Sequence, residues 1–479
     1  MRSWRPLSVV LALLTGCSTS GGSKPPPGNP PPPPPGNGGP SVPCGRTASR
    51  LGPAPSPSDT GSPQMVPGAG ALFFIAEAGA TGEGIWASSG PQGPAACLVR
   101  DFPPGPTGQG PSEPTRVGDA VFFAAEDPEH GRELWVSNGR AAGTRRVKDL
   151  WPGPTGSEPQ SLFESGGLLY FAASDPEHGR ELWRSDGTPE GTVLVQDLDP
   201  GAEGTSPDRM TRGADGALYF LAHFRGLSTV LMRSAGGSAA VELEKVPSEG
   251  GILEPLTTVD RRLFYIMGHL HDPTVHLMAT DGSAPVLVGE FGTVREAVAL
   301  GGQLYFSATT GAAGTDAELW RSDGTAQGTQ RVKDLRTGEA GSLPGDLTVL
   351  GSRLFFVADD GVHGRELWVS DGTDAGTRLF ADLVPGAGSA APEALTPIQG
   401  HLFFSAETPE RGREPWMSDG TPAGMVPLDE LAPEARASDP RGFTRAGGEV
   451  FFTADDGSGT RGLWALPLRP RGQCPGPTN

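Results

Sequence analysis

The 479-residue chain lacks an apolar stretch long enough to span a bilayer as a helix of the mature protein. It also contains no Gly-x-Ser-x-Gly, Walker, His-Glu-x-x-His or Cys-x-x-Cys motif, so common signatures of hydrolases, nucleotide-binding proteins and metal sites are missing. Positive charge is scarce. The net charge of −19 argues against nucleic acid as a partner and against direct adsorption to an anionic membrane.

The first residues have the layout of a targeting segment. Two arginines precede a short apolar run at residues 9–14, and the letters LTGC follow, ending at Cys17. Small residues directly before a cysteine resemble the lipobox of bacterial lipoproteins. The resemblance implies that residues 1–16 are a removed signal peptide and that the Cys17 thiol carries a diacylglycerol. Because Ser18 follows and not Asp, it also implies an outer-membrane location. An ordinary secretory signal that contains a cysteine is the alternative.

Residues 17–64 form a segment dominated by glycine, proline and serine, including the run PPPGNPPPPPPGNGG at 25–39. Such a segment has too little apolar surface to offset the entropy lost on ordering, and its prolines favour an extended polyproline II conformation. We therefore predict a disordered, semi-rigid tether that holds the folded part away from the lipid anchor. A short C-terminal tail is predicted at 471–479.

Besides Cys17, the chain has three cysteines, Cys44, Cys97 and Cys474. Their spacing matches no metal-binding pattern, and in an oxidising compartment they permit one disulfide with one thiol left over. We expect a bridge from Cys474 back to Cys44 or to Cys97, and the sequence does not choose between them.

From about residue 65 the chain repeats itself, and the repeat decides the fold class. The string DPEHGRELW occurs twice, at 127–135 and at 175–183. Related copies follow at 316–329, 363–377 and 411–425, and weaker ones stand at 82–90 and 460–468. Nine aromatic pairs, from Phe73-Phe74 to Phe451-Phe452, precede the copies, and the second members of consecutive pairs are 41 to 50 residues apart.

Seven of the nine tryptophans occupy one equivalent position in their units: Trp86, Trp135, Trp183, Trp320, Trp368, Trp416 and Trp464. Met232 and Met278 take this position in the divergent fourth and fifth units, where a methionine can fill the same apolar space.

Each unit contains four short strands separated by turn signals. Aromatic and β-branched residues dominate, and no helical period of 3.6 is found. The size of the unit is typical of a β-propeller blade, whose two faces are both covered by neighbours. This explains why Phe355 and Phe356, on opposite faces of one strand, are both apolar. We predict an all-β propeller over 65–470 with nine four-stranded blades, or eight as the alternative. The last unit lacks an outermost strand, which residues 44–51 are expected to supply.

The letters ELWVSDGTDAGT, with RLFFVADDGVHGR before them, resemble the ELWxxDGT-repeat family of exported bacterial proteins. The resemblance covers about 400 residues and is absent as a motif from units four and five. It implies a repeat architecture and an exported location. It implies no established enzymatic activity.

The repeated charged residues are interpreted as structural. Arg365-Glu366 and its equivalents lie far apart around a ring, so they cannot form one catalytic site. They would bind backbone groups or pair between blades. A conserved turn position is predicted to support its own Asp-Gly turn, and its residues are Asp186, Asp323, Asp371 and Asp419. No catalytic residue is predicted.

Histidines and acidic loops offer only weak metal signals. His130, His178 and His363 precede Gly-Arg in loops, and Arg411 replaces them in the eighth unit. The string HLHDPTVH carries His269, His271, Asp272 and His276, which could bind a metal but is interpreted as a polar hairpin loop. The ADDG loops at 358–361 and 454–457 could bind calcium weakly but lack the spacing of a dedicated calcium loop. No metal or cofactor is predicted.

The predicted function is that of a binding or interaction module whose ligand surface lies on loops at one end of the ring. The divergent units four and five are the preferred location. The partners would be the membrane, through the lipid anchor, and an unidentified protein or glycan. A propeller hydrolase or lyase acting on envelope or extracellular polysaccharide is the second hypothesis, and a structural envelope component is the third.

Overall fold

The structure is a computed structural model, and it describes residues 41–43, 48–57, 63–68, 70–79, 82–90, 96–105, 107–224, 228–235, 239–247, 251–269, 272–311, 314–338, 340–428, 430–433 and 436–470. The predicted signal peptide, Cys17, most of the tether and the C-terminal tail lie outside these residues. Within them, no helix has the length and apolarity to cross a membrane.

The described chain forms nine antiparallel sheets, and we number these blades 1 to 9 in chain order. Blades 1 to 4 comprise β3 (Met65–Pro67), β4 (Leu72–Glu77), β5 (Glu83–Ser88) and β6 (Cys97–Phe102); β7 (Ser112–Val117), β8 (Ala120–Asp127), β9 (Gly131–Ser137) and β10 (Arg145–Arg146); β11 (Gln160–Ser165), β12 (Leu168–Asp175), β13 (Gly179–Ser185) and β14 (Val193–Gln196); β15 (Asp208–Arg212), β16 (Leu218–Phe224), β17 (Ser228–Ser234) and β18 (Val241–Pro247).

Blades 5 to 8 follow the same order of strands. They comprise β19 (Gly251–Val259), β20 (Arg262–His269), β21 (Val275–Thr280) and β22 (Val286–Phe291); β23 (Thr293–Leu300), β24 (Gln303–Thr309), β25 (Glu318–Ser322) and β26 (Gln330–Arg331); β27 (Gly345–Leu350), β28 (Arg353–Asp359), β29 (Arg365–Ser370) and β30 (Arg378–Ala381); β31 (Glu393–Ile398), β32 (His401–Thr408), β33 (Gly412–Ser418) and β34 (Val426–Pro427). Short 3₁₀ turns occur at Ala141–Gly143 and Pro422–Gly424.

Blade 9 joins the two ends of the described chain. Its strands β35 (Arg441–Ala446), β36 (Glu449–Asp455) and β37 (Arg461–Pro470) are continued on the outer side by β1 (Ser41–Pro43) and β2 (Ser49–Pro53), which both pair with β37. The prediction that an N-terminal segment supplies the missing outer strand is confirmed. Because the last blade needs this strand, the propeller includes Ser49–Pro53, which the composition had placed in the tether; that boundary was wrong.

The first strands of consecutive blades contact one another, and β35 contacts β3, so the ring closes around a central channel lined by first strands. One face of the ring carries the loops between second and third strands and the loops that join consecutive blades. We call this side the upper face. The lower face carries the two other turns of each blade. The nine-bladed ring confirms the predicted fold class and count, and it excludes the eight-bladed alternative.

The hydrophobic core consists of nine clusters, one at each interface between neighbouring blades. Phe355 packs toward blade 8 and Phe356 toward blade 6, and both side chains are fully buried. Burying an aromatic side chain of this size contributes about 1.5–3 kcal/mol. The ring is therefore held together mainly by these apolar interfaces.

The repeated tryptophan position lies on the third strand of each blade. In five blades the indole N–H donates to the backbone carbonyl of the residue ten positions earlier, at 3.1 to 3.2 Å. Met232 and Met278 occupy this position in blades 4 and 5 and are 5 % and 7 % exposed. The predicted replacement of tryptophan by methionine in the core is confirmed.

Candidate functional site

The glutamate of the repeated ELW string anchors the loop that leads to the next blade. Glu133 is fully buried, and its carboxylate accepts the backbone N–H groups of Trp151 at 3.1 Å and Ser157 at 3.0 Å and the Ser157 hydroxyl at 2.5 Å. Four other blades show the same arrangement, and the donors are loop N–H or hydroxyl groups 17 to 24 residues after the glutamate. These glutamates are Glu181, Glu318, Glu366 and Glu414.

Burial makes these carboxyl groups harder to ionise. It raises the pKa of Glu133 to about 7, although the Ser157 hydroxyl and two backbone N–H groups lower it. The pKa of Glu181 is likewise raised to about 7 by burial, against the hydrogen bond from Thr205. A raised pKa in a buried carboxyl is often a sign of catalysis. Here every described donor on these carboxylates is a loop group, so the position is structural.

The arginine directly before this glutamate anchors the start of the first strand of its own blade. Arg132 donates from Nη1 to the Gly110 carbonyl at 2.7 Å. The same bond, to the carbonyl 22 residues earlier, is made at 2.8 to 2.9 Å by Arg180, Arg365, Arg413 and Arg461. In blades 2, 3, 7 and 8, arginine and glutamate together fix the two loops that cross the upper face. The predicted binding of backbone groups by this pair is confirmed.

The aspartate of the SDGT string supports its turn on the lower face. The Asp371 carboxylate accepts the Thr373 backbone N–H at 2.9 Å and the Thr373 hydroxyl at 2.7 Å. These bonds lower the pKa of Asp371, and Gly372 has a φ of +91°. Identical bonds support the turns at Asp186, Asp323 and Asp419.

The loop histidines pair with an aspartate of their own loop. In blade 7, His363 Nδ1 lies 2.8 Å from the Asp360 carboxylate, which raises the pKa of His363. His130 and His178 make the same contact with Asp127 and Asp175.

Two weaker metal hypotheses concern residues that the structure describes in part. In the ADDG loop of blade 7, Asp359 and Asp360 accept backbone N–H groups of their own turn. In blade 5, His276 Nε2 lies 3.8 Å from Glu290 and 4.0 Å from Asp272. His271 and the side chain of His269 lie outside what the structure describes. No group of three or more metal-ligating side chains is found among the residues that the structure describes.

The cysteine pairing is not resolved. Cys97 begins β6, is half-buried and forms no disulfide with a described residue. Cys44 and Cys474 lie outside the described residues, so the expected bridge stays a prediction.

The anchoring arginine is missing in three consecutive blades, 4, 5 and 6, and also in blade 1. Thr229, Val275 and Ala317 occupy its position in blades 4, 5 and 6, and Glu83 occupies it in blade 1. In blade 4 the space is taken by His223, which contacts Asp208 at 2.9 Å and Thr229 at 3.1 Å. Blade 6 has no such replacement among its described residues.

The position of the missing arginine in blade 6 is a pocket. It has a volume of about 260 Å³ and opens at the upper face between blades 6 and 7. The walls include Thr293 and Arg295 of the first strand, Ser307 and Thr309 of the second strand, Ala317, and Leu343 and Arg365 of blade 7. Because these positions surround the arginine in the other blades, the shortening of the side chain at Ala317 accounts for the open space.

Two further pockets lie elsewhere. One, of about 700 Å³, borders the closing strand β2 and includes Arg50 and Arg461. The other, of about 480 Å³, lies between blades 5 and 6 and includes Asp260, Arg262 and Asp323. Neither occupies the position of a missing repeat residue.

The ligand surface was predicted on units four and five, and blade 6 was not singled out. The signal was present in the letters DAELW, where alanine stands in place of the repeated arginine. Its meaning depends on which side chains surround that position, and they come from segments up to 72 residues apart, as with Thr293 and Arg365.

Comparisons with known proteins find similar solved structures but no family for the chain. No family model matches the chain, and no curated protein matches its sequence. Among solved structures, an oligogalacturonate lyase in complex with manganese is 12 % identical over 85 % of this chain and 98 % of that one, with a TM-score of 0.40. The β-propeller domain of the Trilobed protease from Pyrococcus furiosus is 13 % identical over 68 % of this chain and 99 % of its own, with a TM-score of 0.38.

A third similar structure comes from a study of two prolyl endopeptidases. It is 14 % identical over 67 % of this chain, with a TM-score of 0.40. This chain spans half the length of that protein, 50 %.

Proposed function

We propose that this protein is a binding module of the bacterial cell envelope that holds a small ligand at the upper face of its propeller. The observation that carries this proposal is the pocket at Ala317, where one of the ring's repeated anchoring residues is absent and the space it would fill is open. The walls of this space carry charged and hydroxyl side chains that can bind a ligand.

The repeated charged residues do not support a catalytic function. Catalysis by a pair of carboxyl groups needs both to face the same reacting bond. At this pocket Glu296 is the acidic lining residue, and one of its oxygens accepts the Leu347 backbone N–H at 3.2 Å. Binding without chemistry is therefore the function that this geometry favours.

We also propose that the ring is presented at the outer membrane by a lipid on Cys17, with residues 18 to about 40 as the spacer, and that the chain belongs to the ELWxxDGT-repeat family. The observations behind this proposal are the LTGC string and the Pro/Gly composition that follows it. We expect wild-type protein to incorporate labelled fatty acid and to sediment with outer membranes. Cys17→Ala should do neither. Equal labelling of the two proteins would contradict the anchor while leaving the binding function intact.

The binding function is tested with a screen of the full mature chain, in detergent, against glycans and peptidoglycan fragments. The informative variant is Ala317→Arg/Thr309→Glu, which rebuilds the arginine and the acidic neighbour present in blade 2 as Arg132 and Glu126. A matched control is Ala326→Arg/Gln327→Glu, the same change of charge on exposed residues of the lower face of blade 6.

We expect wild type and the control to bind and the filled-pocket variant to lose binding. If no member of the screen binds wild type, or if the filled-pocket variant binds as well as the control, this function is wrong.

A further inference from the structure

We infer that the pocket at Ala317 binds a small hydroxylated carboxylate, of about the size of one sugar acid. This rests on the proposed binding function and adds the chemical class of the ligand. The volume of about 260 Å³ lies just below the range of about 300–1,000 Å³ that is usual for drug-sized ligands, so a single small ring fits and a longer chain does not.

The charge around the pocket is the reverse of that around the same position in blade 8. In blade 8 the guanidinium of Arg413 is surrounded by three carboxylates, Glu393, Glu407 and Asp439, at 3.6 to 3.9 Å. These acids neutralise a cation supplied by the chain itself.

In blade 6 the positions of these three acids are taken by Arg295, Thr309 and Leu343, and the cation itself is replaced by Ala317. The three acid replacements remove negative charge and Arg295 adds a positive charge, whereas Ala317 removes one positive charge. The pocket therefore keeps one lining acid, Glu296, and has two lining arginines, because Arg365 of blade 7 also reaches it. With two arginines and one glutamate, the lining carries one net positive charge in a chain whose net charge is −19, and it suits an anion.

Arg365 is held in a fixed position for such a contact. Its Nη1 donates to the Leu343 carbonyl at 2.8 Å, which fixes the guanidinium at the pocket wall. Gly345 allows this close approach, since a Cβ at that position would lie 2.9 Å from Arg365 Nη2 and 3.4 Å from Glu296 Oε1. A preorganised guanidinium binds a carboxylate with little loss of side-chain entropy.

Hydroxyl groups form much of the remaining polar wall. Ser405 and Thr453 accept a long bond from the anchoring arginine of blades 8 and 9, at 3.4 and 3.2 Å. Their counterpart Ser307 is 4 % exposed and faces a position where that arginine is missing. Thr293 and Thr309, whose hydroxyls lie 3.2 Å apart, line the same wall. These groups and the Glu296 carboxylate can exchange hydrogen bonds with ligand hydroxyls.

The test compares two ligands that differ only in the carboxylate. We would titrate the full mature chain with glucuronate and with glucose by calorimetry. Glucuronate should bind measurably and glucose at least about tenfold more weakly, because charge-assisted hydrogen bonds are lost. N-acetylglycine, a carboxylate without hydroxyls, should also bind more weakly than glucuronate.

Arg295→Gln removes a lining cation but no loop anchor, because Arg295 is exposed and its side chain donates no described hydrogen bond. It should weaken glucuronate binding about tenfold and leave the weak binding of glucose unchanged. Arg378→Gln, an equal change on the exposed outer strand of blade 7, should not alter either. Thermal unfolding of both variants checks that they are folded.

Glucose binding as tightly as glucuronate, or an Arg295→Gln protein that binds glucuronate like wild type, overturns this inference while leaving a binding function in place. Absence of glucuronate binding, together with a positive glycan or peptidoglycan screen, also overturns it. Failure of that screen for every ligand is the separate result that removes the proposed function itself.

Discussion

Blades 3 and 4 are neighbours with the same four-stranded architecture, yet only blade 3 has the ELW glutamate. Glu181 accepts the Asp199 backbone N–H at 3.3 Å and the Thr205 hydroxyl at 2.8 Å. In blade 4 the equivalent residue is Val230, which packs in the apolar cluster between the two blades. The outer strand of blade 3 has four residues and that of blade 4 has seven.

This difference extends around the ring. The five blades with the buried glutamate have outer strands of two to four residues. The three complete blades without it, 1, 4 and 5, have outer strands of six or seven. The glutamate binds loop N–H groups that lie just beyond the outer strand, so the chain leaves the sheet early. Without the glutamate, those backbone groups continue to pair with the third strand.

The two blades show that the four-stranded architecture does not depend on the motif. Apolar interfaces hold every unit in place, and blades 4 and 5 complete the ring without the arginine and the glutamate of the motif. The motif sets the course of the upper-face loops. A unit that loses part of it can acquire another surface without losing the fold, and blade 6, which keeps the glutamate and loses the arginine, is the example that forms a pocket.

The largest effect is expected from placing a glutamate where blade 4 has none. Val230→Glu buries a carboxylate at a position only 2 % exposed, in a blade whose outer strand is long. An uncompensated buried charge costs about 3 kcal/mol or more in free energy of unfolding. The control is Val241→Glu in the same blade, which is 51 % exposed and should cost less than about 0.5 kcal/mol. Similar urea midpoints for the two variants would show that blade 4 can accept the motif.

The turn that follows the motif can be broken separately. Gly372→Ala places a side chain at a φ of +91° and against the Tyr305 hydroxyl, and it should cost about 2 kcal/mol. Gly400→Ala also has a positive φ, +79°, but meets no atom within 4 Å, so it should cost about 1 kcal/mol. Thermal unfolding of both separates the cost of close packing from that of the backbone angle. A smaller loss of stability for Gly372→Ala than for Gly400→Ala would contradict the close approach of Gly372 to Tyr305.

A smaller effect follows from the pKa values of the buried glutamates. An unfolded glutamate has a pKa of 4.5, and those of Glu133 and Glu181 are about 7 in the folded protein. The folded state therefore binds more protons between these values, so their contribution to stability is present below pH 4.5 and is lost as the pH rises through 7. Each group changes the unfolding free energy by at most about 1.4 kcal/mol per pH unit. In urea unfolding between pH 5 and 7, Glu133→Gln/Glu181→Gln should show a flatter pH dependence than wild type. An unchanged slope would place both carboxyls in a better solvated environment.

Much of the fold could be read from the sequence because the repeat is regular. Paired aromatics such as Phe355 and Phe356 predicted two buried faces, and the count of such pairs predicted nine blades. The absence of an outermost strand in the last unit predicted that the N-terminal segment closes the ring. The pairing of Ser49–Pro53 with β37 shows that the tether ends earlier than its composition suggested.

The candidate site could not be read in the same way. Its lining residues Arg295, Thr309 and Leu343 are separated by loops, and only the ring places them around Ala317. The ligand surface was predicted in the most divergent units because their residues depart most from the repeat. The informative change was a single alanine inside a well-preserved unit, and its significance came from what surrounds it.

The most direct test of the central claim, that the repeated charges anchor loops, is the unfolding free energy of Glu133→Ala measured beside Glu129→Ala. Both remove a carboxylate from blade 2, but Glu129 is exposed and Glu133 accepts three hydrogen bonds from the next loop. We predict a loss of about 3 kcal/mol for Glu133→Ala and less than about 0.5 kcal/mol for Glu129→Ala, with ligand binding at blade 6 retained in both. Equal stability of the two variants would contradict the account.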